Sequence, residues 1–184
     1  MTKPIVRTPD PVLTKQAEKV TKFDNKLKAI LSEMKEVLLT AKDPVGVGLA
    51  APQIGYSLRI FATRPTEKAT ISFYINPEIV SISDEYMKKD KDETPFEGCL
   101  SIENTWGIVE RKKNVTITFQ DGKGKKHTQI FTGFPAVIIQ HEIDHLNGIL
   151  FTTRVLEQKG RLYEIIKNKD GKNTLKELPL QYES

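Results

Sequence analysis

The sequence predicts an α+β domain: mostly antiparallel sheets packed around one central helix, with a long helix near the N-terminus. Three observations carry this. Residues 25–41 repeat apolar side chains at helical spacing, so that Leu27, Ile30, Leu31, Met34, Val37 and Leu38 share one face. Residues 135–147 are apolar on more than one side, which marks a deeply buried helix. Around these two lie short runs rich in β-branched and aromatic residues, the composition of strands.

Each element has a local reason. Asp24 is placed to cap the first helix, and Asp43-Pro44 to stop it, because the residue before proline is pushed out of helical geometry. The segment from Gly46 to Gly55 is too rich in glycine, and too broken by Pro52, for a regular element. Strands are expected at 58–63, 71–75 and 78–83. Residues 84–94 are highly charged and read as an exposed loop. Residues 115–119 alternate with period two, Asp121-Gly122-Lys123-Gly124 turns, and 128–132 returns, which is a β-hairpin. Asn147-Gly148 ends the central helix, with glycine just past its last turn. A weaker helix is expected over 157–168, and the tail from about 170 shows no pattern. No repeat or linker divides the chain, so residues 1–184 read as a single domain.

Composition sets further limits. Of 184 residues, 38% are hydrophobic and 28% charged, which argues against wholesale disorder. The longest stretch without polar or charged side chains, 45–52, is far short of the ~18 residues that suggest a membrane span. No apolar signal-peptide core follows Met1, so a cytoplasmic protein without membrane partners is expected, an organelle or a missing leader staying open. The lone cysteine, Cys99, excludes an intramolecular disulfide. The net charge of +4 is mild, and residues 110–127 alone carry six basic residues against two acids. A solvated hairpin with lysines at its edge and tip accounts for that window. The alternative is a patch that meets a polyanion such as RNA, and through it the ribosome, without specific nucleic-acid recognition.

The chemistry is concentrated in His141-Glu142-Ile143-Asp144-His145. Histidines at i and i+4 lie about 40° apart around a helix, one turn above each other, so their imidazoles can meet at one ion. Glu142 brings a carboxylate to the same space, placed to work on water at the metal. This makes the central helix the expected metal-binding helix. Two histidines on a surface helix would need no metal. Here the pair follows Ala136-Val137-Ile138-Ile139, and burying it is costly unless something satisfies it. A catalytic metal usually takes three protein ligands, and the natural third is Cys99 in Glu97-Gly98-Cys99-Leu100-Ser101. A lone cysteine is otherwise most often a small buried hydrophobe.

Three segments in order, Gly46-Val47-Gly48-Leu49-Ala50-Ala51-Pro52-Gln53, Glu97-Gly98-Cys99-Leu100-Ser101 and His141-Glu142-Ile143-Asp144-His145, resemble the three signature motifs of peptide deformylases. The resemblance runs from about residue 4 to about residue 168. It implies that Cys99, His141 and His145 bind one divalent metal, usually ferrous iron in that family, with zinc or nickel able to replace it. It implies Glu142 as general base and then acid, and Gln53 (side-chain amide) and Leu100 (backbone N–H) as donors to the oxyanion. The implied reaction removes the formyl group from nascent peptides that begin with formyl-methionine, releasing formate. Such a reaction needs an apolar methionine pocket, for which Val47, Gly48, Phe134, Val137 and Ile138 are candidates, ordinary core packing being the alternative. Asp144 and Glu97 could orient a histidine or pair with Arg111; a purely structural salt bridge is the alternative.

One departure stands out. Many bacterial deformylases carry a proline and then an arginine four to eight residues after the cysteine, and the arginine helps hold the peptide. Here the segment reads Ile102-Glu103-Asn104-Thr105-Trp106-Gly107, with Trp106 near the arginine's place. Trp106 could shape the peptide channel or be a surface aromatic without consequence. Two other functions compete. A general metallopeptidase would take its third ligand from a residue after the helix, yet no histidine follows His145. A module retained only for binding would have lost a ligand or the base, yet all are present.

Overall fold

In the computed structural model the described residues are 3–41, 45–87, 96–168 and 171–179. Helix α1 (Asn25–Thr40) starts where Asp24 caps it, its side chain accepting from the Leu27 N–H at 3.1 Å. The helix buries Leu27, Ile30, Met34, Val37 and Leu38. Leu31 is only half-buried, beside Gly122. The expected stop at Asp43-Pro44 lies outside the described residues.

The glycine-rich segment is more regular than expected. β1 (Gly48–Ala50) pairs with β2 (Ile60–Thr63), and a 3-10 turn over Ala51–Ile54 comes after it. β2 supplies β1's ladder, so three residues suffice. The expected strands at 71–75 and 78–83 are one strand, β3 (Ser72–Ile82), with a register shift between Ile75 and Glu78. Pro77 has no N–H to give, and a bulge absorbs it. Beside it Asn76, at φ 51°, binds the Val20 backbone through both amide atoms, each at 2.8 Å. The expected hairpin is present as β6 (Asn114–Gln120) and β7 (Lys126–Thr132), with Gly122 at its tip. These strands form an antiparallel sheet in the order β1-β2-β3-β6-β7.

Both faces of that sheet are covered where β2 runs. Ile60 and Ala62 pack with α1, while Phe61 packs with the central helix α2 (Phe134–Leu146). The period-two alternation sends successive residues to opposite helices, which is why β2 is buried at every position. α2 anchors in this core through Ala136, Ile139, Ile143 and Leu146, and it ends before Gly148 at φ 71°. Its other side faces a second antiparallel sheet, β4 (Glu97–Cys99), β5 (Ile102–Gly107), β8 (Leu162–Lys167) and β9 (Asn173–Glu177), in that order.

The expected helix over 157–168 is a correction. The helix there, α3 (Phe151–Glu157), ends where it was expected to begin, and 162–167 is a strand. Gly160 interrupts the helical run, and Leu-Tyr-Glu-Ile-Ile-Lys fits a pleat once β5 and β9 flank it. The patternless tail supplies β9. The basic window 110–127 is also less basic at the surface than its composition. Arg111 is buried between Glu97 and Asp144, and Lys113 pairs with Glu85. Among the described residues, no helix is long and apolar enough to cross a membrane.

Candidate metal centre

α2 stacks His141 and His145 one turn apart, ring centroids separated by 4.9 Å. β4 delivers Cys99 to the same point, its Sγ 3.2 Å from His145 Nε2. One ligand atom from each of the three lies within 4.8 Å of the other two. Across a tetrahedral ion bound at ~2.3 Å by sulfur and ~2.1 Å by nitrogen, S and N stand ~3.5 Å apart. The donor set therefore fits a single metal ion. His141 Nδ1 is 2.8 Å from Glu97 Oε2. An ionised carboxylate only accepts, so Nδ1 carries the proton and the Nε2 lone pair is left for the site.

The electrostatics agree. Burial pushes the Cys99 thiol up, but His145 and His141 outweigh it and bring it to about 5, so the sulfur is a thiolate at neutral pH. Burial works against charge on His141, yet hydrogen bonds to Cys99 and Glu97 raise it well above the usual histidine range. Burial also pushes Glu97 up, but its bonds to Arg111 and His141 hold it at about 2. The surrounding negative charge favours a cation among these groups, whether a proton on His141 or a metal ion.

Glu142 is different in kind. Only 3% exposed, its Oε2 has no hydrogen-bond partner among the described residues. Burial drives its carboxyl up to about 7, against the pull of His141 and His145. An unpartnered buried carboxyl titrating near neutrality suits a group that takes and returns a proton. Gln53 is oriented by the backbone: the Ala50 N–H donates to its Oε1 at 2.8 Å. That fixes Nε2 on the site side, 3.3 Å from Cys99 Sγ and 3.3 Å from Ser101 Oγ.

A buried ion network braces the helix. Arg111 donates from Nε and Nη2 to the two Glu97 oxygens at 2.8 and 2.9 Å, and from Nη1 to Asp144 at 2.6 Å. Arg154 on α3 holds Asp144 from outside through Nε and Nη2, at 3.1 and 2.7 Å. Of the two acids considered for orienting a histidine, Glu97 contacts one and also Arg111, whereas Asp144 contacts only arginines.

The site opens into a cavity of about 230 Å3. Val47, Gly48, Leu100, Trp106, Phe134, Val137 and Ile138 line it beside Gln53, Cys99, His141 and Glu142. Phe134 is half out in solvent at the rim. The Trp106 indole lies over Gly98 so closely that a Cβ there would sit 2.7 Å from its ring, which accounts for the glycine. Sequence reasoning missed Val45 and Phe96, which also line the cavity, and Ser101, which shares the Gln53 amide. Phe96 left one signal, a large aromatic directly before the second motif.

Known proteins resemble this chain along most of its length. A family model described as polypeptide deformylase matches residues 2–161. A peptide deformylase of Desulfotalea psychrophila is 39% identical over 160 residues, covering 85% of this chain and 89% of that one. One from Thermotoga neapolitana is 39% identical over 167 residues, covering 88% and 95%. Among solved structures, a Plasmodium falciparum peptide deformylase superposes with a TM-score of 0.74 at 39% identity, over 84% of this chain and 89% of that one. A class I type b peptide deformylase from Acinetobacter baumannii, solved with Met-Ala-Ser bound, gives 0.73 at 33% identity, over 84% and 98%.

Proposed function

The chain belongs to the polypeptide deformylase family, and on that premise we propose how its site works. The enzyme removes the N-terminal formyl group from newly made polypeptides, leaving formate and a free amino terminus. Cys99, His141 and His145 would hold one divalent metal and leave a position open beside Glu142. We propose ferrous iron, since thiolate and imidazole donors suit it as they suit zinc or nickel. Such an ion supplies Lewis-acid polarisation and lowers the pKa of water at the site.

The protein's own groups do the rest. Glu142 takes a proton at its unpartnered carboxylate oxygen from the attacking water and returns it to the departing amine nitrogen. The Gln53 amide and the Leu100 N–H donate to the formyl oxygen as charge develops there. The formyl carbon carries only hydrogen, so a small site can reach it. The methionine side chain fits the apolar wall of Val47, Phe134, Val137 and Ile138, and Gly48 keeps that wall close to Glu142. β1 is the outer strand of its sheet and borders the cavity, so an extended peptide can add to its edge.

The observation that carries this reading is the meeting of a thiolate, two imidazoles and a carboxyl whose Oε2 has no partner among the described residues, at one point beside an apolar cavity. We read residues 1–184 as one catalytic domain acting in the cytoplasm on chains leaving the ribosome. Within the 110–127 window, Lys123, Lys125 and Lys126 are the exposed lysines we propose for a ribosome contact. The test is formate release from formyl-Met-Ala-Ser by anaerobically purified protein, with elemental analysis of the same sample. About one metal per chain with formate release is expected. Metal without formate release would favour a binding module, and cleavage of internal peptide bonds instead would favour a metallopeptidase.

A further inference from the structure

A second, larger groove of about 750 Å3 runs on from the catalytic cavity. The two share Cys99, Leu100 and Trp106 as lining. Ile165 and Asn173 of the β8–β9 hairpin line this groove together with Asn104 of β5. The hairpin starts at Leu162, just past the residues that the family model matches. It lies outside the part of the chain that the family model matches.

The hairpin is fastened along the groove by an unusual device. The ladder between β5 and β8 covers only Trp106 with Tyr163 and Gly107 with Leu162. Beyond it Asn104, at φ 45°, substitutes its side-chain amide for backbone. Its Nδ2 donates to the Ile165 carbonyl at 3.3 Å, and the Ile165 N–H donates to its Oδ1 at 3.3 Å. Asparagine tolerates this left-handed conformation better than most residues. One turn of the ladder away, Tyr163 meets Phe96 of the cavity lining edge to face, centroids 5.6 Å apart. The same hairpin thus touches the catalytic cavity at one end and lines the groove at the other.

We infer that the β8–β9 hairpin forms a downstream subsite that holds the main chain of the substrate beyond its first residues. This rests on the deformylase reading. With the formyl group at Cys99 and the methionine side chain against Val137 and Ile138, the peptide passes Leu100 and Trp106, which are the lining common to cavity and groove. The groove asks little of side-chain identity. Among the described residues its one acid, Glu103, is paired with Arg7, and the remaining polar groups, on Thr40, Asn104, Thr105 and Asn173, are neutral. A neutral groove of mixed polarity suits chains of any sequence. Past the residue that meets Trp106, it predicts a dependence on substrate length in place of a dependence on composition.

The experiment compares metal-loaded intact chain, Ile165→Ala and Asn173→Trp on formyl-Met peptides of two, three, four and six residues. Composition is varied at each length, and kcat and KM are measured separately. In the intact chain kcat/KM should rise about tenfold from the dipeptide to the hexapeptide, mainly through KM. Ile165→Ala, which removes lining, and Asn173→Trp, which fills the groove from an exposed strand, should each cut that gain to about twofold or less. Circular dichroism and melting of each variant report folding, and Ile165→Val should keep most of the gain. A flat length series in an intact chain that turns over the dipeptide would overturn the subsite and leave the deformylase reading standing. A length gain unchanged in both variants would also overturn it. No turnover of any formyl peptide would instead refute the activity itself.

Discussion

The Glu142 carboxylate rests against the α-carbon of Gly48: a Cβ at that position would meet Oε1 at 2.1 Å and Cδ at 2.8 Å. The first motif thus places its glycine for the sake of the third motif's acid. The atoms in the way are the end of a flexible side chain, so an added methyl displaces Glu142 without breaking the sheet. Gly48→Ala is therefore expected to fold, with a Tm within a few degrees of the parent, and to lose about a hundredfold or more in kcat. Formate-release kinetics beside a melting curve check this. A kcat within threefold of the parent would show that the carboxylate does not need its present position.

Glu142→Gln separates chemistry from stability. The variant should bind metal and lose at least ~10²–10⁴-fold in kcat, the usual share of a general acid–base. The folded carboxyl titrates at about 7 against an ordinary 4.5, so the fold holds a proton that the unfolded chain releases. Stability from this group is present below 4.5 and is lost as pH rises to about 7. In chelator-stripped protein Glu142→Gln should therefore be more stable than the parent above pH 7, by on the order of 3 kcal/mol, and no different below pH 4. Denaturant titrations at pH 4 and 8 test the sign.

The sequence made this site legible because its chemistry lies in residues that few other roles explain. His141, His145, Glu142 and Cys99 sit in short motifs, and the helix period alone brings three of them together. The helices were legible for the same reason: α1 and α2 each complete several periods of apolar residues. β4 and β5 were not, because Glu-Gly-Cys has no periodicity and exists as a strand only through its partner. The 162–167 strand was misread as helix because its neighbours, not its composition, decide its state. The groove behind Trp106 was beyond reach, since it joins Ile5, Thr40, Asn104 and Asn173 from four separate elements or segments.

Arg111 is the next test. It bridges Glu97, which orients His141, and Asp144 on the same helix, with all three groups buried. Removing it leaves two carboxylates short of their partner, a change that costs ~3–5 kcal/mol in buried pairs. Arg111→Met should destabilise the protein by that amount and weaken metal retention through a loosened His141. Glu97 has the opposite sign to Glu142: its folded pKa of about 2 lies below 4.5, so its stabilisation is present above 4.5 and lost as pH falls toward 2. The parent should accordingly lose stability across pH 4.5–2, and Arg111→Met, whose Glu97 lacks the arginine that holds it down, should lose less over the same range. An equal loss between pH 4.5 and 2 in the two proteins, read from denaturant titrations, would refute the coupling.

Trp106 is expected to set the preference for the residue after methionine. Its indole lies on Gly98, between the metal cavity and the groove beside it, where many relatives of this kind are expected to carry an arginine. An arginine would offer charge-assisted hydrogen bonds to peptide carbonyls; an indole offers apolar area and a face for stacking. The residues directly after formyl-methionine should therefore be preferred when apolar or aromatic, and KM should depend weakly on salt. Trp106→Arg should shift that preference and leave metal content unchanged. The ring is half-buried, so the contact is worth ~1–2 kcal/mol, or roughly five- to thirtyfold in kcat/KM between the best and worst residues. A panel of formyl-Met dipeptides and tripeptides, assayed with both proteins in one buffer, measures it. If both rank the panel alike within twofold, the indole serves only to cover Gly98, and the preference must come from elsewhere in the groove.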